Sequence, residues 1–487
     1  MERLSKIFDE KYASVTLIFL TLFAFAVRGV IFYYWMDAPG DGPTKAMYAY
    51  NWYKSPHIIP HGIWLPGFEY LTGSFSILLN NPLFSIRLLN LIAGTLTIPL
   101  LYLLVRKIYN HVSALFAGSI LSFLPLHVGY SVSSLTEATF LFEIIAAILL
   151  LVIATERESY RRLFLVGSVF FIFYATMTRY EAWLLIPFFP CFYYWKTGRL
   201  RASVFMLIIL SLFPVAWSIS NYFHSGDFLL GITAAKDENW ATETSIFGAV
   251  RIIVKQTIEQ FGWALLIIIL WGMILQFSAV LRKKINSEQV FLFAIAFFFW
   301  LVMLRFAMVR GETFQPRYLL FGLVLILPFA ALPLLHLFKA EKLFLSAAII
   351  FILLTFAFPM IVYYPMKDVT RKQPTAIEKV ACWLKENTSR QEPILMTNMG
   401  GHSTYLPLYH PDIGAHDIGH FIYYQHCGMS DARLENYLRN RRPSLFITCD
   451  RDHNLQSKIE RVWGGKTITD NLIHTEGEIS IYKLTDP

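Results

Sequence analysis

Long apolar runs alternate with short polar connectors along most of the chain. About eleven such runs stand out, near Val15–Tyr34, Leu83–Val105, Ser113–Val128, Ala138–Ala154, Leu163–Met177, Ala182–Trp195, Ser203–Tyr222, Ile258–Leu281, Val290–Val309, Tyr318–His336 and Leu343–Tyr364. The third, fifth and sixth are short. The others are long enough to cross roughly 30 Å of hydrocarbon as helices, with every backbone polar group satisfied inside the segment. The pattern predicts a polytopic α-helical membrane protein.

Two stretches break the alternation. The first, residues 35–80, is a long polar-facing connector between the first two runs, and connectors of that length are usually functional. Within it, Gly42-Pro43 predicts a helix through Lys54, with Met47, Tyr50 and Tyr53 on one face suited to the headgroup region. Pro66-Gly67 predicts a second helix, in which Phe68, Leu71, Phe75 and Leu78 recur at helical spacing. The second stretch begins at residue 365 and reads as a small α/β domain. An amphipathic helix is expected over Thr375–Asn387, with Ile377, Val380, Ala381 and Leu384 on one side, and strands over Ile394–Thr397, Leu445–Cys449 and Ile479–Leu484. The domains predicted are thus a membrane part, 1–364, with 35–80 as its functional outer loop, and a terminal domain, 365–487.

Composition agrees with the pattern. The chain is 55% hydrophobic and only 16% charged, against about 25% charge in soluble domains. The net charge of +8 does not point to nucleic acid, because the basic residues fall in short connectors between runs. Arg106 and Lys107, Arg157 to Arg162, Lys196 to Arg201, Arg282 to Lys284, and Lys339 with Lys342 occupy alternate connectors, which the positive-inside rule places in the cytoplasm with the amino terminus. The 35–80 loop and the terminal domain then lie outside, in a multi-pass protein of the plasma or inner membrane or the endoplasmic reticulum. The first run is long and no small-residue cleavage site follows it, so no cleavable signal peptide is expected.

The outer connectors hold the candidate chemistry. Asp37, Asp41 and Glu69 lie in the opening loop, Glu137 begins the fourth run, and Arg179 with Glu181 stands between the fifth and sixth. Arg317, in Gln315-Pro316-Arg317-Tyr318, begins the tenth. A carboxylate at the water-facing boundary can take a proton from a hydroxyl; beside Gly and Pro, Asp37 and Asp41 also serve simply to form turns. An arginine at span depth, such as Arg179, is a candidate for gripping phosphate through two parallel hydrogen bonds, or for pairing with Glu181. Glu137 after Thr136 fits a capped helix start, and Arg87 fits a side chain reaching for headgroups. His57 and His61 match no strong metal-ligand spacing, since Pro60 interrupts a helical His-x3-His pair.

The ordered set of these features resembles a known family. Asp-Gly and an aromatic helix are followed by Trp64-Leu65-Pro66-Gly67, Ile86-Arg87-Leu88-Leu89-Asn90 with Gly94, and Ile98-Pro99-Leu100-Leu101-Tyr102. Then come Thr136-Glu137-Ala138, Thr178-Arg179-Tyr180-Glu181-Ala182-Trp183 and Arg317-Tyr318-Leu319-Leu320. This resembles the GT-C glycosyltransferases, in the group of protein O-mannosyltransferases and lipid A aminoarabinose transferases, over nearly all of the membrane part. The oligosaccharyltransferase signature WWDYG is absent from the sequence. The resemblance implies a GT-C fold and inverting transfer of a sugar, mannose at family level, from a polyprenyl or dolichyl phosphate to a protein, lipid or glycan acceptor. It implies Asp41 as the catalytic residue, a general base, with Asp37 as the alternate, Arg179 and Arg317 as donor-phosphate ligands, and Glu137, Glu181 and Glu69 in support. No cofactor is expected, and a metal is not obligatory with so good a leaving group. Two other classes remain open: a flippase for lipid-linked sugars, and a noncatalytic assembly subunit.

Overall fold

The computed structural model describes residues 13–34, 41–79, 81–231, 233, 243–282, 285–333, 376–388, 394–396, 444–449, 471–476 and 479–483. By contacts the chain forms two compact units: Met1–Tyr33 with His57–Leu71 and Arg87–Val369, and Tyr34–Pro56 with Thr72–Ile86 and Thr370–Pro487. Among the described residues, eight helices are long and apolar enough to span a membrane, besides the shorter apolar His111–Phe123. The expected eleventh run, Leu343–Tyr364, lies outside the described residues.

The helices in order are α1 (Ala13–Tyr34), α2 (Asp41–Lys54), α3 (Gly67–Leu79), α4 (Pro82–Ile108), α5 (His111–Phe123), α6 (Pro125–Tyr130), α7 (Glu137–Glu156) and α8 (Arg161–Thr178). There follow α9 (Phe188–Thr197), α10 (Leu200–Ser225), α11 (Ile246–Leu281), α12 (Ser287–Arg310), α13 (Leu320–Ile326) and α14 (Ala376–Asn387). In the first unit α7 is enclosed along most of its length, while α1 exposes Val15, Ile18, Phe19, Leu22 and Phe25. A bundle with apolar side chains both inside and out is what a hydrocarbon solvent selects. The sequence therefore encodes a membrane bundle, with α7 at its centre.

Several predicted spans are broken helices. The third stops at Leu124, because Pro125 has no N–H to offer the carbonyl of Leu121. The Leu126 N–H turns to Gln260 Oε1 (3.0 Å), which frees the Ser122 carbonyl as well. Arg28, fully buried inside α1, takes both: its guanidinium donates to Leu121 O (3.3 Å) and Ser122 O (3.1 Å). It also donates to His127 Nδ1 (2.8 Å), which must accept because a guanidinium only donates. A 3-10 turn (Tyr180–Leu185) leads into the sixth span, and the tenth runs through 3-10 turns at Pro316–Leu319 and Leu327–Ala330. The helix α11 kinks at Gly262, whose φ of 69° is open to glycine at little cost.

In the second unit α2 starts at Asp41 and buries Ala46, Ala49 and Tyr50; the Tyr50 and Tyr53 rings stand 6.2 Å apart on one face, as their spacing predicts, with Tyr50 on its enclosed side. Its Trp52 packs on α3 where a Cβ at Gly73 would lie 2.4 Å from the ring. The end of α3 turns Thr72 and Ser76 inward and leaves Ile77, Leu78 and Leu79 exposed. The tail is α/β, as its pattern predicts. Helix α14 buries Val380, Ala381 and Leu384. Strands β1 (Ile394–Met396), β2 (Leu445–Cys449), β3 (Leu472–Glu476) and β4 (Ile479–Lys483) form one sheet in the order β1-β2-β4-β3. The first pair is parallel and the others antiparallel. Strand β3 was not expected from the sequence.

Candidate active site

The site grows from the start of α7 and the end of α8. Helix α8 stops at Thr178 because Arg179 is extended (φ −148°, ψ 146°), after which the chain re-coils in the 3-10 turn from Tyr180. The break carries Arg179 to the first residues of α7. Its Nη1 donates to Glu137 Oε1 (2.5 Å) and to Thr136 Oγ1 (3.0 Å). Its Nε and Nη2 donate to the Glu181 carboxylate at 3.1 and 2.6 Å, and the guanidinium lies 5.9 Å from the Phe140 ring. Thr136, expected as a helix cap, makes no side-chain capping bond and accepts from Arg179 instead.

These charges are dry: the side chains of Glu137, Arg179 and Glu181 are 3%, 13% and 17% exposed. Burial alone would raise the pKa of Glu181, but the charge and hydrogen bonds of Arg179, with Arg317 adding to them, hold it below the usual carboxylate range. Arg179 is held above its ordinary value because Glu181 and Glu137 outweigh the burial that opposes its charge. Arg317 comes from the 3-10 turn after extended Gln315, with its guanidinium 5.4 Å from the Tyr318 ring and within electrostatic reach of Glu181. Arg179, Arg317, Glu137 and Glu181 are thereby gathered into one cluster whose two positive and two negative formal charges cancel. The two-point grip on phosphate expected of Arg179 needs qualification. Among the described residues its Nε–H, both Nη1 hydrogens and one Nη2 hydrogen serve Glu137, Thr136 and Glu181, which leaves a single N–H.

The segment leading into α3 is strapped to the same region. Tyr174 donates to Gly67 O (2.7 Å), Tyr180 to Ile63 O (3.0 Å), and Asn221 Oδ1 accepts from the Gly62 N–H (2.9 Å). Burial pushes the Tyr180 hydroxyl up to about 12, against a bond from Trp217, so it remains a donor at neutral pH. A Cβ on Gly67 would sit 2.8 Å from the Met177 backbone, which accounts for glycine at that crossing. Glu69 is buried in the first turn of α3. His57 and His61 lie on irregular chain, and the His61 ring stacks 3.5 Å from that of His224. Among the described residues no group of three His, Cys, Asp or Glu side chains is arranged to hold a metal ion. Asp41 is the first residue of α2, and its side chain is outside what the structure describes, as is all of Asp37.

Sequence reasoning missed two features. Glu143, a buried carboxyl inside α7, accepts from Thr178 Oγ1 (3.2 Å), the residue before Arg179. An acid within an apolar run is itself the signal that could have found it. Arg87 is buried rather than reaching for headgroups: it donates to Val132 O and Phe32 O (2.8 Å each) and stacks on Phe32.

Comparison with known proteins bears on the architecture. Residues 60–219 match the family described as dolichyl-phosphate-mannose-protein mannosyltransferase. No curated protein sequence matches the chain. Among solved structures, ArnT from Cupriavidus metallidurans bound to undecaprenyl phosphate is 12% identical with a TM-score of 0.67, covering 96% of this chain and 97% of that one. The Archaeoglobus fulgidus oligosaccharyltransferase is also 12% identical, with a TM-score of 0.61 over 94% of this chain and 72% of that one. The same archaeal enzyme, AglB, has been solved with an inhibitory peptide and a dolichol-phosphate, and matches at 11% identity. Identities this low speak for architecture, and architecture is what they establish: the chain is an integral membrane protein with the GT-C glycosyltransferase fold.

Proposed function

We propose that this protein is a polyprenyl-phosphate-dependent glycosyltransferase that moves a sugar to an acceptor hydroxyl on the extracytoplasmic face, with inversion. The observation that carries the reading is the charge cluster of buried Glu137 with the largely enclosed Arg179 and Glu181 and the half-buried Arg317 beside them. Keeping charges at membrane depth is costly, and such groups are retained where they meet a charged substrate. Support comes from neighbours of the same fold solved with undecaprenyl phosphate and dolichol-phosphate. Mannose is the sugar that the matched family's description suggests.

In this reading the acceptor O–H gives its proton to Asp41 while its oxygen bonds the anomeric carbon. The bond from that carbon to the phosphate oxygen breaks on the opposite side, and the electron pair leaves with the phosphate. Arg317 and the remaining N–H of Arg179 meet the growing negative charge, which is leaving-group stabilisation in a site already oriented for it. Glu137 and Glu181 hold Arg179 in place, Glu69 supports the opening loop, and Asp37 is the alternate base. No metal is needed for this sequence of bond changes. The chemistry belongs to residues 1–364, with the amino terminus cytoplasmic and the α/β domain of 365–487 outside.

The test is sugar transfer by purified protein from a panel of radiolabelled polyprenyl-phosphate sugars to a membrane extract. Asp41→Asn is expected to lower transfer by about a hundredfold or more, within the usual range for a lost general base, while donor binding persists. Equal transfer by both forms would move the proton acceptor elsewhere. Lipid movement across the bilayer without transfer of any sugar would replace the enzyme by a flippase.

A further inference from the structure

The motif Ile86-Arg87-Leu88-Leu89-Asn90 with Gly94 has no part in the chemistry proposed above, yet three of its residues converge on one loop. Arg87, Asn90 and Gly94 are spaced along one face of α4. Opposite them runs the loop of residues 131–135, the last backbone before Thr136 and Glu137. Arg87 Nε donates to Val132 O (2.8 Å). The Asn90 amide donates to Ser133 O (2.7 Å) and Leu135 O (2.6 Å), and its oxygen accepts from Thr139 Oγ1 (2.7 Å). Both amide hydrogens and the amide oxygen are therefore engaged inside a side chain with no exposure. Gly94 makes the room: a Cβ there would lie 2.1 Å from Ser131 Oγ and 2.6 Å from its Cβ. From α1, Arg28 Nε donates to the same Ser131 Oγ (3.2 Å), and that hydroxyl donates to His127 O (2.6 Å).

A loop with this many buried carbonyls has to find donors for each of them. Here the carbonyls of Val132, Ser133 and Leu135 are met by side chains of α4 rather than by the loop itself, so its path is set from outside. The next two residues are the ones that hold Arg179 through Thr136 Oγ1 and Glu137 Oε1. We infer that the Arg87–Asn90–Gly94 face of α4, with Thr139 orienting the Asn90 amide, is a positioning device for Arg179 and through it for the donor phosphate. Asn90 and Thr139 are positioning residues: they touch neither donor nor acceptor and act through the loop. The inference rests on the donor-phosphate reading of Arg179.

The experiment measures the dissociation constant of undecaprenyl phosphate for the full-length protein in detergent, because an inactive or unfolded fraction changes the amplitude of binding and leaves the constant unmoved. Four variants are compared: Arg179→Gln, Asn90→Leu, Thr139→Val and Thr139→Ser. Asn90→Leu is expected to weaken binding about tenfold and Thr139→Val about threefold, the scale of one misdirected charge-assisted contact and a fraction of one. Thr139→Ser keeps the hydroxyl and is expected to restore the wild-type constant. Should Asn90→Leu fail to fold, the Val and Ser pair decides. If Arg179→Gln weakens binding while Asn90→Leu and Thr139→Val keep the wild-type constant, the positioning role is overturned and the phosphate reading stands. If Arg179→Gln binds as wild type does, or the wild type does not bind undecaprenyl phosphate, the phosphate reading falls and the positioning role with it.

Discussion

The two ends of α7 carry the same residue type in different surroundings. At its first position Glu137 faces Arg179 with side chains 3% and 13% exposed; at its last, Glu156 faces Lys107 with side chains 37% and 26% exposed. The Glu156 pair sits partly in solvent, where Coulomb attraction is weak and the order imposed on two long side chains offsets much of it. The Glu137 pair has lost its water. Its Oε2 has no hydrogen-bond partner among the described residues, and the partner guanidinium is shared with Glu181 and Thr136. Desolvating such a pair costs more than a well-packed apolar pair would, so stability alone does not select it. The comparison separates a water-reached charge pair that ties helix ends together from a pair withdrawn from water, the kind the proposed donor-phosphate role would require.

The strongest way to break the comparison is to remove one partner at the dry end. Glu137→Gln is expected to destabilise the protein by about 3–5 kcal/mol, because Arg179 stays buried with half its compensation gone. Coupling with Arg179→Gln in a double-mutant cycle, read by unfolding in detergent, is expected to be large; additive single effects would refute it. Acidity probes the same cluster through Glu181. Its folded pKa lies below the unfolded value, so the stability it contributes is present above the ordinary carboxylate range, near pH 4 to 5, and is lost as pH falls through the depressed folded value. In Glu181→Gln that acid-side loss is expected to shrink, and an unchanged pH profile would remove Glu181 from the account.

Glu143 sharpens the contrast with a smaller effect. It lies on the same helix, buried, yet faces the Thr178 hydroxyl instead of a cation. Thr178 also donates to Tyr174 O (3.2 Å), so losing Glu143 leaves that hydroxyl with an acceptor. Glu143→Leu is therefore expected to cost no more than about 1–2 kcal/mol in thermal unfolding. A loss as large as that of Glu137→Gln would mean that Glu143 answers a charge after all.

What the sequence disclosed follows from what periodicity encodes. The starts of α2 and α3 were legible from Pro43 and from Pro66-Gly67, and β2 from a short apolar run, because those signals are local. Arg179, Glu181, Glu137 and Arg317 were legible as candidates because each interrupts apolar sequence at the end of a run. The Arg179–Glu181 pair was legible as one of two roles for that arginine; its reach to Glu137 was not, since it depends on α8 stopping at Thr178. Arg28 and Arg87 were misjudged or passed over because a lone basic residue near a span end looks the same whether it reaches for headgroups or fills a helix break. The carbonyls freed by Pro125, which Arg28 satisfies, exist only once α5 and α6 are seen to part there. Strand β3 escaped because His474, Thr475 and Glu476 dilute its apolar pattern, and it is defined by its pairing with β4.

The weakest intervention belongs to the other end of α7. Glu156→Gln removes an ion pair with Lys107 whose partners are both reached by water, so the expected loss is no more than about 1 kcal/mol. The loss should shrink further in concentrated salt, because exposed charges are screened within roughly 10 Å at 0.1 M. Glu137→Gln should keep most of its penalty in the same salt, since counterions do not enter a dry site. Measuring both variants at low and high ionic strength therefore reads burial directly: parallel salt dependence would mean that the Glu137 end is as wet as the Glu156 end. A salt-insensitive penalty at one end alone would tie the cluster's energetics to exclusion of water, the condition under which Arg179 and Arg317 would act most strongly on the phosphate of the proposed donor.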